Sequence, residues 1–366
     1  MHRTLNKADE GSAMQKDRTS DRESNVSVSV IIPAYNCPEY VPAALESVFT
    51  QTFTDFEVIL INDGSPHTER LEYFVAPYRD RIVYLKQENR GPAGARNTGI
   101  GAARGKYVAF LDSDDRWPPE YLDAQMRLFV ATPSLDIVYA DAVLFGDIRL
   151  HRKTFISVSN PHLTSFEDLV VQGCQIIPSA TVVRKQVIIE AGLFDEDLCG
   201  PEDYDLWLRL LHRGARIAYQ PTVSALRRVH ADALTKDTKK MLEDEERVLS
   251  KLNRTLQLSD EARSLLLSRH IPIKADVCLE KGKRCLFSGE SRQAREYLES
   301  AYTLFCQENS LPIVLSNRYV PALRRAAKLR VLLWGLRTAP RVTTFGARMW
   351  ENSLLALQAL KARSHK

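Results

Sequence analysis

The sequence predicts an α/β fold: a mostly parallel sheet flanked by helices, with an α-helical extension at its C-terminal end. Three observations predict it. Short apolar runs alternate with helical stretches four times between Val26 and Leu111, the pattern of βαβ units. The runs ending at Ile32, Ile61 and Leu111 turn almost wholly apolar, as strands buried on both faces do. From Lys236 onward the β-branched runs stop and helical spacing takes over. The chain thus divides into a disordered tail over 1–24, an α/β domain over 25–235 and a helical region over 236–366.

Taken in order, Val26–Pro33 is the first strand and Ala34-Tyr35-Asn36-Cys37 the loop after it, with a helix from Pro38 to about Thr50. Phe56–Ile61 is a second buried strand, followed at once by Asn62-Asp63-Gly64-Ser65. A carboxylate at a strand's C-terminal end suits a base or ribose; Asp63 equally suits the N-cap of the next helix. Arg81–Lys86 is a third strand. The small residues of Asn89-Arg90-Gly91-Pro92-Ala93-Gly94-Ala95-Arg96-Asn97 then let backbone approach a ligand at a helix start. Arg90 and Arg96 carry charge suited to a diphosphate, or are solvated arginines of a Gly-rich turn. No G-x-G-x-x-G follows the first strand, which disfavours a dinucleotide site.

The stretch Phe110-Leu111-Asp112-Ser113-Asp114-Asp115 sets three carboxylates at the end of the fourth strand. Like charges packed this closely call for a cation, and Mg²⁺ or Mn²⁺ takes oxygen ligands together with phosphate oxygens. The alternative is a solvated acidic turn before a helix over Pro118–Val130. A fifth strand is expected at Asp136–Ala140 and another at Ile176–Arg184, the latter with edge or bulge character because of Pro178 and Ser179.

A second acidic centre opens a helix near Pro201: Glu202-Asp203-Tyr204-Asp205-Leu206-Trp207. Acids in a first turn offset the helix dipole without any catalytic role. On a helical projection Asp203 shares the inward edge with Leu206 and Trp207, Glu202 projects to the side and Asp205 turns further away. Trp207 offers a stacking face for a sugar, though its spacing also suits the core. His230 ends a strand-like run, where a lone histidine is ordinarily a surface or core residue.

These pieces, in this order, resemble the inverting family 2 glycosyltransferases of the GT-A fold. The matching residues are Val30-Ile31-Ile32-Pro33-Ala34-Tyr35-Asn36, Asn62-Asp63-Gly64-Ser65, Asn89-Arg90-Gly91 with Ala95-Arg96-Asn97-Thr98-Gly99-Ile100, Asp112-Ser113-Asp114-Asp115, and Glu202-Asp203-Tyr204-Asp205-Leu206-Trp207-Leu208-Arg209, within roughly 26–231. The resemblance implies a Rossmann-like GT-A catalytic domain over 25–235, a nucleotide-sugar donor of the UDP-sugar class, and Mn²⁺ or Mg²⁺. It implies that Pro33, Ala34 and Tyr35 line the nucleoside and that Asp63 binds base or ribose. Arg90, Arg96, Asp112 and Ser113 fall on the donor side, with Asp112 the ribose- or metal-side acid. Asp114 matches the metal ligand, with His230 beside it, and Asp203 the general base; Glu202 and Trp207 fall on the acceptor side. A carboxylate serving as base is expected to be partly buried, which raises its pKa.

The implied function is transfer of a sugar to a glycan or lipid-linked acceptor in cell-surface polysaccharide assembly. Its alternatives are a sugar nucleotidyltransferase, or a non-catalytic nucleotide-sugar-binding subunit. The first needs a Gly-rich, basic loop directly after the first strand, which Ala34-Tyr35-Asn36-Cys37 does not supply. The net charge of +4 gives no argument for a nucleic-acid partner. Residues 311–366, however, hold eleven Lys/Arg against the single acid Glu351, which suggests contact with an anionic membrane surface or a solvated helical bundle. Six scattered cysteines without a C-x-x-C pair fit a reducing compartment. With no signal-like start and no stretch near the roughly 20 apolar residues of a span, the expected location is cytoplasmic, peripheral at the inner face of the membrane.

Overall fold

The computed structural model describes residues 26–147, 155–156, 165–173, 176–198, 200–230 and 238–308. The tail expected over 1–24 and the basic segment 311–366 lie outside the described residues.

Strands β1 (Val28–Ala34), β2 (Phe56–Asp63), β3 (Val83–Gln87) and β4 (Tyr107–Phe110) are parallel, in the spatial order β3-β2-β1-β4. Helices α1 (Val41–Phe49), α2 (Thr68–Val75) and α3 (Gly91–Ala102) connect them. The strand period of two sends alternate residues to opposite faces. Ile31, Ile59, Ile61, Val108 and Phe110 enter one core, while Val30, Ile32, Val58, Leu60 and Ala109 enter the other. Both faces are covered, which is why these strands read as continuous apolar runs.

Beyond β4 the sheet becomes mixed. The fifth strand is longer than expected, β5 (Ile137–Gly146), and pairs antiparallel with the short β6 (Phe155–Ile156). Strand β7 (Thr181–Arg184) lies between β4 and β5, antiparallel to both, and β8 (Ile217–Val229) runs parallel to β5. The expectation of one edge-like strand over Ile176–Arg184 is therefore corrected. Pro178–Ala180 form a 3₁₀ turn, and the strand that follows is interior. Pro178 precedes the ladder, so its missing N–H costs no sheet hydrogen bond. Helix α4 (Tyr121–Ala131) likewise starts later than Pro118, because Pro119 disfavours helical geometry at the residue before it.

Helices α5 (Phe166–Gln172), α6 (Lys185–Glu190) and α7 (Glu202–His212) cover one face of the sheet, and α8 (Thr238–Thr255), α9 (Asp260–Ser288) and α10 (Ser291–Glu308) form the extension. Val248, Leu249 and Leu252 of α8 and Leu266 and Ile273 of α9 share a core with Trp207 and Leu210 of α7. A polar anchor reinforces it. Asp205, fully buried, accepts from Arg209 Nε at 2.8 Å and from Lys251 Nζ of α8 at 2.8 Å. A second cluster, including Ala275, Leu286, Leu298 and Phe305, joins the end of α9 to α10. Gly289, at φ 87°, closes α9 in the left-handed conformation glycine favours. No described helix is long and apolar enough to cross a membrane.

Candidate active site

Parallel strands end together, so the segments after β1, β2 and β4 gather on one rim of the sheet, where open α/β sheets bind ligands. Pro33 is half-buried and Ala34 buried, leaving Tyr35, 48% exposed, as the open face of the first loop. Asp63 is buried at the end of β2. Its Oδ1 accepts from Gln87 Nε2 at 2.7 Å and from the Arg90 backbone N–H at 2.9 Å. It does not cap α2, whose preceding residue is His67, so the capping alternative is set aside. Asp63 instead pins the Asn89-Arg90 loop against β2. The Arg90 guanidinium is taken up by Glu196, with contacts of 3.0 and 2.6 Å, and is not held free for a diphosphate.

The acidic loop after β4 is held from three sides. The Asp112 N–H donates to Ser179 Oγ at 3.0 Å, and Trp117 Nε1 donates to the Ser179 carbonyl at 2.7 Å. Ser113 is buried, its hydroxyl 2.9 Å from Cys37 Sγ, so the side chain braces the loop against the first one and does not open toward a donor. From β8, the Arg228 N–H donates to Asp115 Oδ1 at 2.8 Å and Arg228 Nε donates to the Asp114 carbonyl at 2.9 Å. The Arg228 guanidinium lies 4.4 Å from the Tyr40 ring centre and 4.5 Å from that of Phe145. Ser179 and Arg228 were not singled out from sequence as site residues. Arg228 left one signal, its place two residues before His230; Ser179 was read only as a mark of edge or bulge character.

His230, just past β8, meets the loop where the resemblance implies it should: its Nε2 lies 2.9 Å from Asp114 Oδ2. Burial and the neighbouring Asp112 push the Asp114 carboxyl above its usual range, and the contact with His230 opposes this. One carboxylate oxygen and one imidazole nitrogen meeting at this rim fit a divalent ion of the Mn²⁺ type, whose remaining positions diphosphate and water would fill. Among the described residues no group of three or more His, Cys, Asp or Glu side chains is gathered to hold a metal ion.

The second acidic centre reaches the same rim from α7, and here the sequence reading needs correction. Trp207 is fully buried, with Nε1 donating to the Ile176 carbonyl at 3.0 Å, so it is a core residue and not a sugar platform. Glu202 and Asp205 are the buried acids, and Asp203 is half-buried. The projection had these reversed because it ignored the partners waiting inside: Lys251 and Arg209 draw in Asp205, and Arg96 draws in Glu202. Arg96 is itself buried, with Nη1 donating to Glu202 Oε1 at 2.7 Å and Nη2 to Asp112 Oδ1 at 2.8 Å. Its charge is committed to two carboxylates, not to a diphosphate. Asp203, beside this cluster, has its carboxyl pushed up to about 7 by burial and then by Glu202, with Arg96 pulling the other way. A carboxylate titrating there is suited to proton abstraction at neutral pH.

The sequence model described as glycosyl transferase family 2 matches residues 29–179. An Escherichia coli protein named as a UDP-Glc:α-D-GlcNAc-diphosphoundecaprenol β-1,3-glucosyltransferase, WfaP, is 30% identical over 229 residues, 62% of this chain and 86% of that one. The chain belongs to glycosyl transferase family 2. An uncharacterised glycosyltransferase of Rickettsia prowazekii is also 30% identical, over 60% of this chain and 69% of its own length. The match spans 66% of a relative from Rickettsia typhi and 34% of one from Rickettsia felis. In three dimensions this family 2 chain is similar to residues 1–349 of TarS from S. aureus, with a TM-score of 0.60, 18% identity, and coverage of 85% of this chain and 91% of that one. That likeness confirms the GT-A fold.

Proposed function

We propose that this family 2 glycosyltransferase moves a sugar from a UDP-sugar to a hydroxyl of a glycan or lipid-linked acceptor, with inversion at the anomeric carbon, in cell-surface polysaccharide assembly. One observation carries the reading. A donor-side rim with Asp114 against His230 and a half-buried carboxyl at Asp203, held up to about 7, are brought to the same edge of one sheet. The names of two relatives support the substrate class: WfaP is named for UDP-Glc and a diphosphoundecaprenol-linked sugar, and AmsB of Erwinia amylovora, 30% identical over 194 residues, for amylovoran biosynthesis.

Asp203 takes the proton of the acceptor hydroxyl as its oxygen bonds to the anomeric carbon and the bond to the diphosphate oxygen breaks; the electron pair leaves with the nucleoside diphosphate. A single displacement inverts the centre. Asp63 fixes the donor loop, and Tyr35 faces the nucleoside. Asp114 and His230 would hold Mn²⁺ or Mg²⁺, which when bound stabilises charge on the departing diphosphate as a Lewis acid. Family membership sets aside the nucleotidyltransferase alternative, and turnover separates an enzyme from a binding subunit.

The test is a panel of UDP- and GDP-sugars offered to the full-length protein with Mn²⁺ and a prenyl-diphosphate-linked GlcNAc. Thermal shift and release of nucleoside diphosphate are the readouts. We expect one UDP-sugar to stabilise the protein and turn over, with binding lost in EDTA and in Asp114→Asn. UDP binding indifferent to EDTA would remove the metal from this reading, and no turnover with any donor would remove catalysis. We further assign the basic segment 311–366 to an anionic membrane surface, at about 1 kcal/mol per surface-proximal Lys or Arg. Truncation near residue 310 should weaken binding to anionic vesicles at low salt; equal binding by both forms refutes this.

A further inference from the structure

Arg96 has no part in that mechanism, yet it occupies a position from which both acidic centres are reached. It comes from α3, and its two carboxylates come from the loop after β4 and the first residue of α7. We propose that Arg96 is a positioning residue that locks the donor-side loop to the acceptor-side helix through Asp112 and Glu202, and so fixes where Asp203 stands and the charge it faces. The inference rests on the reading of Asp203 as the base.

The geometry requires arginine. A planar guanidinium offers separate N–H groups to two partners at once, whereas an ammonium is a single flexible point charge. Arg96 uses Nη1 for one carboxylate and Nη2 for the other, while its buried Nε has no hydrogen-bond partner, so these two contacts provide its hydrogen bonds. Phe194 packs near the guanidinium, its ring centre 5.6 Å away, and the Gly200 N–H donates to the other Glu202 oxygen at 2.8 Å. Glu202 is thus fixed from two directions, and Asp203 follows it in the chain. A displacement of Asp112 passes through one rigid group to the first turn of α7.

The charges around Asp203 give the lock a signature. They are Glu202 on its own helix, Arg96 from α3 and Asp112 from the acidic loop; Asp244 of α8, with Lys240 and Arg247, lies on the Glu202 side. Arg96 is the cation of this set. Removing it raises the pH at which Asp203 ionises, and neutralising Glu202 lowers it. These opposite movements report the charge that the lock presents to Asp203, and a fall in kcat in Arg96→Lys with the midpoint unmoved reports its positioning.

The experiment uses full-length Arg96→Gln, Arg96→Lys and Glu202→Gln, each checked for cooperative thermal unfolding. Ionisation of Asp203 is followed by carbon NMR of labelled carboxyls, with Asp203→Asn identifying the signal, so the readout does not depend on turnover. We expect the midpoint to move up by about one pH unit in Arg96→Gln and down by a similar amount in Glu202→Gln. Arg96→Lys keeps the charge but loses the bridge. Its midpoint should stay near wild type while kcat for transfer falls about 10-fold or more and the donor KM changes little. Movements in the same direction, no movement, or wild-type kcat in Arg96→Lys would overturn the proposal. If Arg96→Gln does not fold, Glu202→Gln and Arg96→Lys decide it by the same criteria. Opposite midpoint movements in a protein that transfers no sugar would support the link and refute the catalytic reading.

Discussion

Asp203 shows how one residue is set against its own stability. Burial and Glu202 hold its carboxyl at about 7 in the folded protein, against about 3.9 in an unfolded chain. Between those values the folded state binds the extra proton, so stability is greatest below about 4 and declines as pH rises through about 7. Activity runs the other way, because a base must be ionised. Transfer should therefore rise with pH through an acid limb centred near 7 and level off above it. Asp203→Asn should slow transfer by about 10² or more with donor affinity unchanged, and it should be the more stable protein at pH 8. Near wild-type turnover in Asp203→Asn would sink the base assignment, and Glu202 would be tested next. The meeting of His230 with Asp114 was legible through the order of the motifs that carry the resemblance, and the helical spacing of Trp207 already suited the core it occupies. Arg96 and Asp205 were misjudged because burial depends on partners such as Lys251, 46 residues away from Asp205 along the chain.

At the scale of elements, α3 carries Arg96, with Arg90 immediately before its first residue, and its seat on the sheet depends on Gly99. A Cβ there would lie 2.5 Å from Ile31 Cγ2 and 3.0 Å from Ile61 Cδ1. Two opposing effects decide the outcome of Gly99→Ala. Helix propensity favours alanine by about 1 kcal/mol, whereas overpacking a filled core costs about 1–3 kcal/mol. Ile31 and Ile61 sit in adjacent paired strands with no exposure and little room to retreat, so the second effect should win. We expect a net loss of up to about 2 kcal/mol in urea unfolding, with slower transfer as α3 lifts and carries Arg96 away from Asp112; a stabilised variant would contradict this. Elements were legible where both faces of a strand are buried, as in β1, β2 and β4. They were not where a turn and a strand share one apolar stretch, as at Ile176–Arg184, because apolar runs report burial without reporting direction. Nor did any local pattern show that β7 inserts antiparallel between β4 and β5.

For the molecule as a whole, the helical extension is two things, although its composition changes only once, near Lys236. Its first part belongs to the catalytic core: Leu252 of α8 is fully buried in the cluster that also holds Trp207 and Leu210. Its second part is a satellite, with Leu298 of α10 fully buried in the cluster with Leu286 and Phe305. Each substitution by alanine removes a comparable buried side chain and should cost about 2–5 kcal/mol where it acts. The places should differ, since proteins open in units that follow their clusters. Leu252→Ala should speed amide exchange in α7 and α8 together and slow transfer, because the first turn of α7 holds Glu202 and Asp203. Leu298→Ala should speed exchange only in α10 and the end of α9, leaving transfer at the wild-type rate. Hydrogen exchange with a transfer assay on both variants checks this. Faster exchange of α7 amides in Leu298→Ala would show that the two clusters open as one, and that α10 helps to hold the candidate active site.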